Sequence, residues 1–174
     1  MTTTTTLPPD RTEAAEYYFT YIDKVPAGDI LTTLEAQQGD ALSLFDTISE
    51  ERSGYRYAPD KWSIKEVLAH INDTERMFVF RAFWFARGLE GPLPSFDQDV
   101  AANGAEADRR AWRSHVDEFR SIRAASLSFY THLPPDAWLR RGIASGNPFT
   151  VRALAYITAG HVAHHVRLLR ERYS

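Results

Sequence analysis

The 174-residue sequence contains no cysteine, which excludes a disulfide framework, a thiolate nucleophile and thiolate-bound zinc. No apolar run is long enough to span a bilayer, and Met1–Pro9 lack the basic and apolar stretches of a secretory leader. The expectation is a cytoplasmic protein with no membrane partner. No basic block stands out either: 20 Lys and Arg face 23 Asp and Glu, for a formal charge of −3, which argues against a nucleic-acid partner. Lysine is scarce, Lys24, Lys61 and Lys65 being the full set, a bias that reads as codon usage rather than function. The nine glycines are too scattered for a phosphate-binding loop or a dinucleotide fingerprint. No Glu precedes a His by three residues, so the Glu-x-x-His motif of di-iron bundles is absent. A serine nucleophile elbow needs an α/β fold, for which there is no pattern here.

What is present is helical periodicity. Residues 1–9 are expected to be a disordered tail, and 10–174 a single domain, large enough to bury a core without covalent staples. Five helical segments are predicted. The first runs from Asp10 to Lys24 and stops at Pro26-Ala27-Gly28; the second runs from the N-cap Asp29 to about Glu50. The third has the clearest start in the chain. Ser63-Ile64-Lys65-Glu66 is a capping box, with Trp62 and Val67 placed as a hydrophobic staple, and Gly88 ends the helix. A fourth is predicted over Asp108–His132 and a fifth from Thr150 to Arg172. No strand alternation is evident beside them, so the fold class is all-α, with four long amphipathic helices matching a bundle. Two connections, Leu89–Ala107 and Leu133–Phe149, exceed what neighbouring helices need and are candidate functional loops. The aromatic run from Phe78 to Phe85 points in several directions and reads as core and dimer surface.

The last helix carries the chemistry. His161 and His165 are four residues apart, so their imidazoles share one helical face. Val151, Leu154, Thr158, His161, His165 and Leu168 form the stripe that should face the core. Imidazoles in an apolar interior need partners. His70 stands at the edge of the core stripe of the third helix, and if those helices are neighbours, three neutral imidazoles meet. Such a site leaves coordination positions open, as in catalytic zinc centres, and nickel, iron or cobalt accept the same nitrogens. The competing reading is a set of hydrogen-bonded core histidines. His164 is the alternative partner at i,i+3 and is assigned a supporting or cavity-mouth role. His115 and His132 have no ligand spacing and read as structural or solvated. Asp73 and Glu66 share the face of His70 and are weak candidates to orient an imidazole or act as base, although the capping box already explains Glu66 and an arginine can explain Asp73. Asp97, in the acidic patch Pro94–Asp99, is a second candidate base.

The segment from Tyr57 to Arg76, with Trp62-Ser63 opening the helix of His70, resembles the DinB-like superfamily, which includes YfiT-type proteins regarded as metalloenzymes. Leu93–Asp99 and the run from Ala159 to Tyr173 carry the same resemblance, which spans about Glu16 to Tyr173. The resemblance implies an up-and-down four-helix bundle with an extra N-terminal helical segment and two long loops, often as a homodimer. It implies a divalent metal, zinc or nickel foremost, on His70, His161 and His165. It further implies a small-molecule substrate and, by analogy with relatives that use bacillithiol or mycothiol, a transferase activating a low-molecular-weight thiol. A metal-dependent hydrolase and a non-catalytic metal-binding or interaction bundle are the alternatives.

Overall fold

The computed structural model describes residues 6–173. The bundle is built from four long helices, α2 (Ile30–Phe45), α4 (Ile64–Ala86), α6 (Trp112–Thr131) and α7 (Val151–Arg172). Three short helices accompany them: α1 (Phe19–Ile22), α3 (Glu50–Ser53) and α5 (Gln98–Ala105). No helix among the described residues is long and apolar enough to cross a membrane.

The predicted caps are where the helices start. Asp29 accepts from the Thr32 amide at 2.9 Å, and Thr150 from the Ala153 amide at 3.0 Å. At α4 the capping box is complete: Ser63 Oγ accepts from the Glu66 amide (3.1 Å), and Glu66 Oε2 accepts from the Ser63 amide (2.7 Å). These bonds satisfy amide donors that have no partner inside the helix. The fourth helix begins later than predicted, at Trp112, because Ala107–Arg109 forms a 3-10 turn ahead of it.

α4 and α2 each pack against α6 and α7, which leaves α2 diagonal to α4 and α6 diagonal to α7. Contacts fix the directions. Asn72 meets His115, Arg76 meets Glu118 and Phe83 meets Phe129, so α4 and α6 run parallel. Leu34 meets Arg123 and Phe45 meets Trp112, so α2 and α6 are antiparallel. The order is therefore up-down-down-up, and this corrects the up-and-down expectation while leaving the four-helix bundle in place. The physical reason lies in the long connection after α4. It returns along the bundle, with α5 packed beside α4, before α6 sets out in the same direction as α4.

Three further corrections concern local structure. The predicted helix over Asp10–Lys24 is broken into 3-10 turns at Arg11–Glu13 and Glu16–Tyr18 followed by α1. Ala14 leaves helical geometry to bridge Phe149, and buried Glu13 receives Thr150 Oγ1 and pairs with Arg152; these tertiary contacts outweigh helix propensity. The connection 133–149 contains a β-hairpin, β1 (Arg141–Ala144) and β2 (Asn147–Thr150), turned by Ser145 and Gly146, both at positive φ (51° and 72°). The Ser-Gly pair is a hairpin signal that helical reading passed over. Of the expected disordered tail over 1–9, residues 1–5 lie outside the described residues, whereas Thr6 is buried and its carbonyl accepts from Tyr156 Oη.

The interior forms two apolar clusters. One, near the hairpin end, joins Phe78, Ala82 and Phe85 of α4 to Val151 and Leu154 of α7. The other, at the opposite end, joins Ile64, Val67 and Ile71 to Val162, Val166 and Leu169. α4 and α7 are thus antiparallel, and their histidines fall at the seam between the clusters.

Candidate metal centre

α4 and α7 run past each other so that His70, His161 and His165 converge, each at most 8 % exposed. His70 Nε2 lies 3.0 Å from His161 Nε2, and His161 Nε2 lies 3.1 Å from His165 Nε2. The three ligand atoms are all within 4.8 Å of one another. Two nitrogens bound tetrahedrally at about 2.0–2.1 Å to one ion sit roughly 3.3 Å apart, so the donor set fits a divalent cation. Neutral imidazoles alone satisfy this packing poorly, because His161 Nε2 faces two other ring nitrogens and can donate at most one proton.

Neighbouring side chains fix the rings. Trp62, held by the start of α4, packs on His70 with centroids 4.8 Å apart. Thr74 Oγ1, one turn along α4, is 3.4 Å from His70 Nδ1; when Nδ1 donates to it, the Nε2 lone pair is free for an ion. Tyr21 leans on His161 at 5.5 Å. Gly160 allows this approach, since a Cβ there would overlap the Tyr21 backbone carbonyl. His165 Nδ1 is buried without a protein partner among the described residues.

Burial governs the charge of the cluster. Desolvation first, then the neighbouring His164, pushes His70 down to about 4. Desolvation, with His70 and His164, pushes His165 down to about 3. His161 is held well below the ordinary imidazole value, again chiefly by burial. All three are neutral at pH 7, the state that ligates metals.

A cavity of about 180 Å³ opens on His70 and His161 and is walled by Tyr17, Tyr18, Tyr21, Thr74 and Arg81, with Phe96, Gln98 and Ser145 at the loop side. Larger cavities of about 460 and 590 Å³ lie elsewhere, and neither reaches an imidazole. Both long connections therefore shape the wall: Phe96 and Gln98 come from the first, Ser145 from the hairpin turn of the second.

The other sequence candidates fall outside the cluster. His164 is half-buried, edge-on to Tyr21 at 5.7 Å and beside the His165 ring at 4.9 Å, without joining the converging nitrogens. Asp73 pairs with Arg76 at 3.3 Å; burial raises its pKa. Asp97 is exposed and caps α5, accepting from the amides of Asp99 and Val100 at 3.0 Å each. Neither acid lines the cavity, because each is committed to a local partner. Glu66 is held by the capping box and by Arg56 at 2.5 Å. His115 is fully buried with Nε2 3.0 Å from the Ala107 carbonyl, and exposed His132 bonds the Ser128 carbonyl. The tyrosine wall and Arg81 were missed from sequence. The spacing Tyr17-Tyr18-Tyr21 carried a signal, but only the tertiary fold brings it against α7.

The structure is a four-helix bundle in which three imidazoles, a donor set able to hold a metal ion, converge at a seam between two helices. The DinB superfamily model matches residues 33–169, and the chain belongs to that superfamily. Among solved structures it is similar to YfiT from Bacillus subtilis, described as a probable metal-dependent hydrolase with an unusual four-helix bundle topology. That match has 13 % identity, a TM-score of 0.66 and 97 % coverage of each chain, a likeness of fold. No curated protein matches the chain.

Proposed function

We propose that the chain is a divalent-metal-dependent enzyme whose ion is held by His70, His161 and His165, and that its chemistry is transfer of a low-molecular-weight thiol to an electrophile. The observation that carries the metal reading is the convergence of three buried, neutral Nε2 atoms at 3.0 and 3.1 Å. A bound divalent cation, zinc or nickel foremost, would acidify a thiol or a water that reaches it.

The thiol reading is supported by what the cavity wall contains. Among the described residues lining it there is no carboxylate, so no acid is placed as general base. A thiol ionised at the site needs none: its proton leaves to solvent, the sulfur forms a C–S bond to the electrophile, and the leaving group departs with its electron pair. The protein's own side chains orient the ligands through Trp62 and Thr74 and exclude water with the tyrosine wall. Hydrolysis is the second reading, and the description of YfiT favours it. The proposed partners are a small-molecule substrate and a second copy of the chain.

Metal analysis of untagged protein tests the site. Wild type is expected to hold about one ion per chain, His161→Ala and His165→Ala almost none, and His164→Ala the wild-type amount. Turnover of monochlorobimane with a panel of low-molecular-weight thiols tests the chemistry. Rates equal to those of metal-free protein defeat the thiol reading, and turnover of esters or amides without thiol replaces it with hydrolysis.

A further inference from the structure

Arg81 lies on the cavity face of α4 and is 3 % exposed. Its Nη2 donates to the Pro94 carbonyl at 3.0 Å and to the Ser145 hydroxyl at 2.8 Å. The Tyr18 hydroxyl is a further polar group that interacts with the guanidinium. All these neighbours are neutral at pH 7. Other poorly exposed cations of the fold have an acid: Arg123 has Glu75, Arg152 has Glu13 and Lys65 has Glu50. Arg81 has no carboxylate partner among the described residues. A guanidinium cannot escape burial by losing its proton, so an unpaired one at this depth carries a desolvation cost that a ligand can offset.

We infer that Arg81 is the anchor for an anionic group, carboxylate or phosphate, on the molecule that enters this cavity. The inference rests on the reading of the three imidazoles as the reacting end of the same cavity. His70 and Arg81 both line this cavity and lie on the same helix eleven residues apart, about 16 Å of helix rise, a span that the arginine side chain shortens. The ligand is therefore a small molecule with its anion at one end and its reacting group at the other, within about 180 Å³. Pro94 and Ser145 take both N–H groups of Nη2, which leaves those on Nη1 and Nε for a ligand. A guanidinium suits this task because it keeps its charge when buried and has N–H groups to spare after bracing the two loops. Two segments that are loops in sequence, the stretch before α5 and the hairpin turn, meet on this one side chain.

Isothermal titration of the untagged full chain, metal-free and zinc-loaded, tests this with succinate, inorganic phosphate and uncharged succinamide. Wild type is expected to bind one of the anions at least about tenfold more tightly than succinamide. A preference for succinate assigns a carboxylate and a preference for phosphate a phosphoryl group. Arg81→Gln is expected to weaken anion binding by about 10- to 100-fold with zinc content unchanged. Equal affinity for anion and succinamide in wild type overturns the inference. So does a folded Arg81→Gln protein that keeps the preference, since Arg81 is then only a brace for the two loops. Should the glutamine variant fail to fold, Arg81→Lys decides: binding is expected to fall about fivefold because a compact ammonium does not reproduce the reach and planar donor set of the guanidinium, and unchanged binding overturns the assignment. Zinc uptake without anion preference defeats this inference alone. An Arg81-dependent preference in protein that takes up no zinc defeats the metal reading alone.

Discussion

An imidazole buried away from water resists protonation, and at His70 and His165 that resistance links the site to stability. Their folded-state pKa values, about 4 and about 3, lie below the ordinary value near 6.5. Below pH 6.5 the unfolded chain therefore binds protons that the folded chain refuses, and stability falls as pH drops from 6.5 toward 4 and then 3. Metal-free protein is expected to lose roughly 2 kcal/mol per histidine by pH 5, read as a falling urea midpoint between pH 7.5 and 5. Replacing both residues by Asn should flatten that slope, and an unchanged slope would show that the rings are solvated. The i,i+4 spacing together with the core-facing stripe marked His161 and His165 as a pair. His70 was legible as a core-edge histidine, but its distance from them was not, because it depends on how α4 and α7 pass each other.

At the scale of elements, helix starts were readable because a cap is local: Ser63, Asp29 and Thr150 satisfy amides three residues on. Elements that answer to distant partners were not. The segment 10–24 would be a helix by propensity, but it is drawn out along α7 and the hairpin. Gly160 shows the cost of that arrangement. In an ordinary helix interior Gly→Ala gains about 1 kcal/mol. Here the added methyl would press on the Tyr21 backbone, so Gly160→Ala is expected to lose about 1–3 kcal/mol. Urea unfolding measures the loss, and faster limited proteolysis between Arg11 and Lys24 would locate it. A gain in stability would mean that the N-terminal segment does not rest on α7 as described.

Across the whole molecule one buried side chain ties the four long helices together. Arg123 of α6 forms a bidentate pair with Glu75 of α4 at 2.8 Å twice over, both groups at most 1 % exposed. Its Nη1 donates to the Leu34 carbonyl and to Gln37 Oε1 of α2 at 3.0 Å each, and Gln37 Nε2 reaches the Ala159 carbonyl of α7 at 2.8 Å. Arg123→Met leaves Glu75 buried and unpaired, with an expected cost of about 3–5 kcal/mol, a large share of the stability of an ordinary domain. Adding Glu75→Leu should restore much of it in urea unfolding. If the double variant is no more stable than the single one, the penalty lies in lost packing rather than in the stranded charge.

The sequence by itself determined the helical class, the starts of α2, α4 and α7 and the pair on α7, since periodicity and capping act over three or four residues of one segment. Tertiary structure alone decided the up-down-down-up order, the closing of the tyrosine wall on α7 and the burial of Arg81 on the wall of the imidazole cavity. Each of those depends on contacts between segments far apart in the chain, where the free energy of closing the interior overrides what either segment prefers alone.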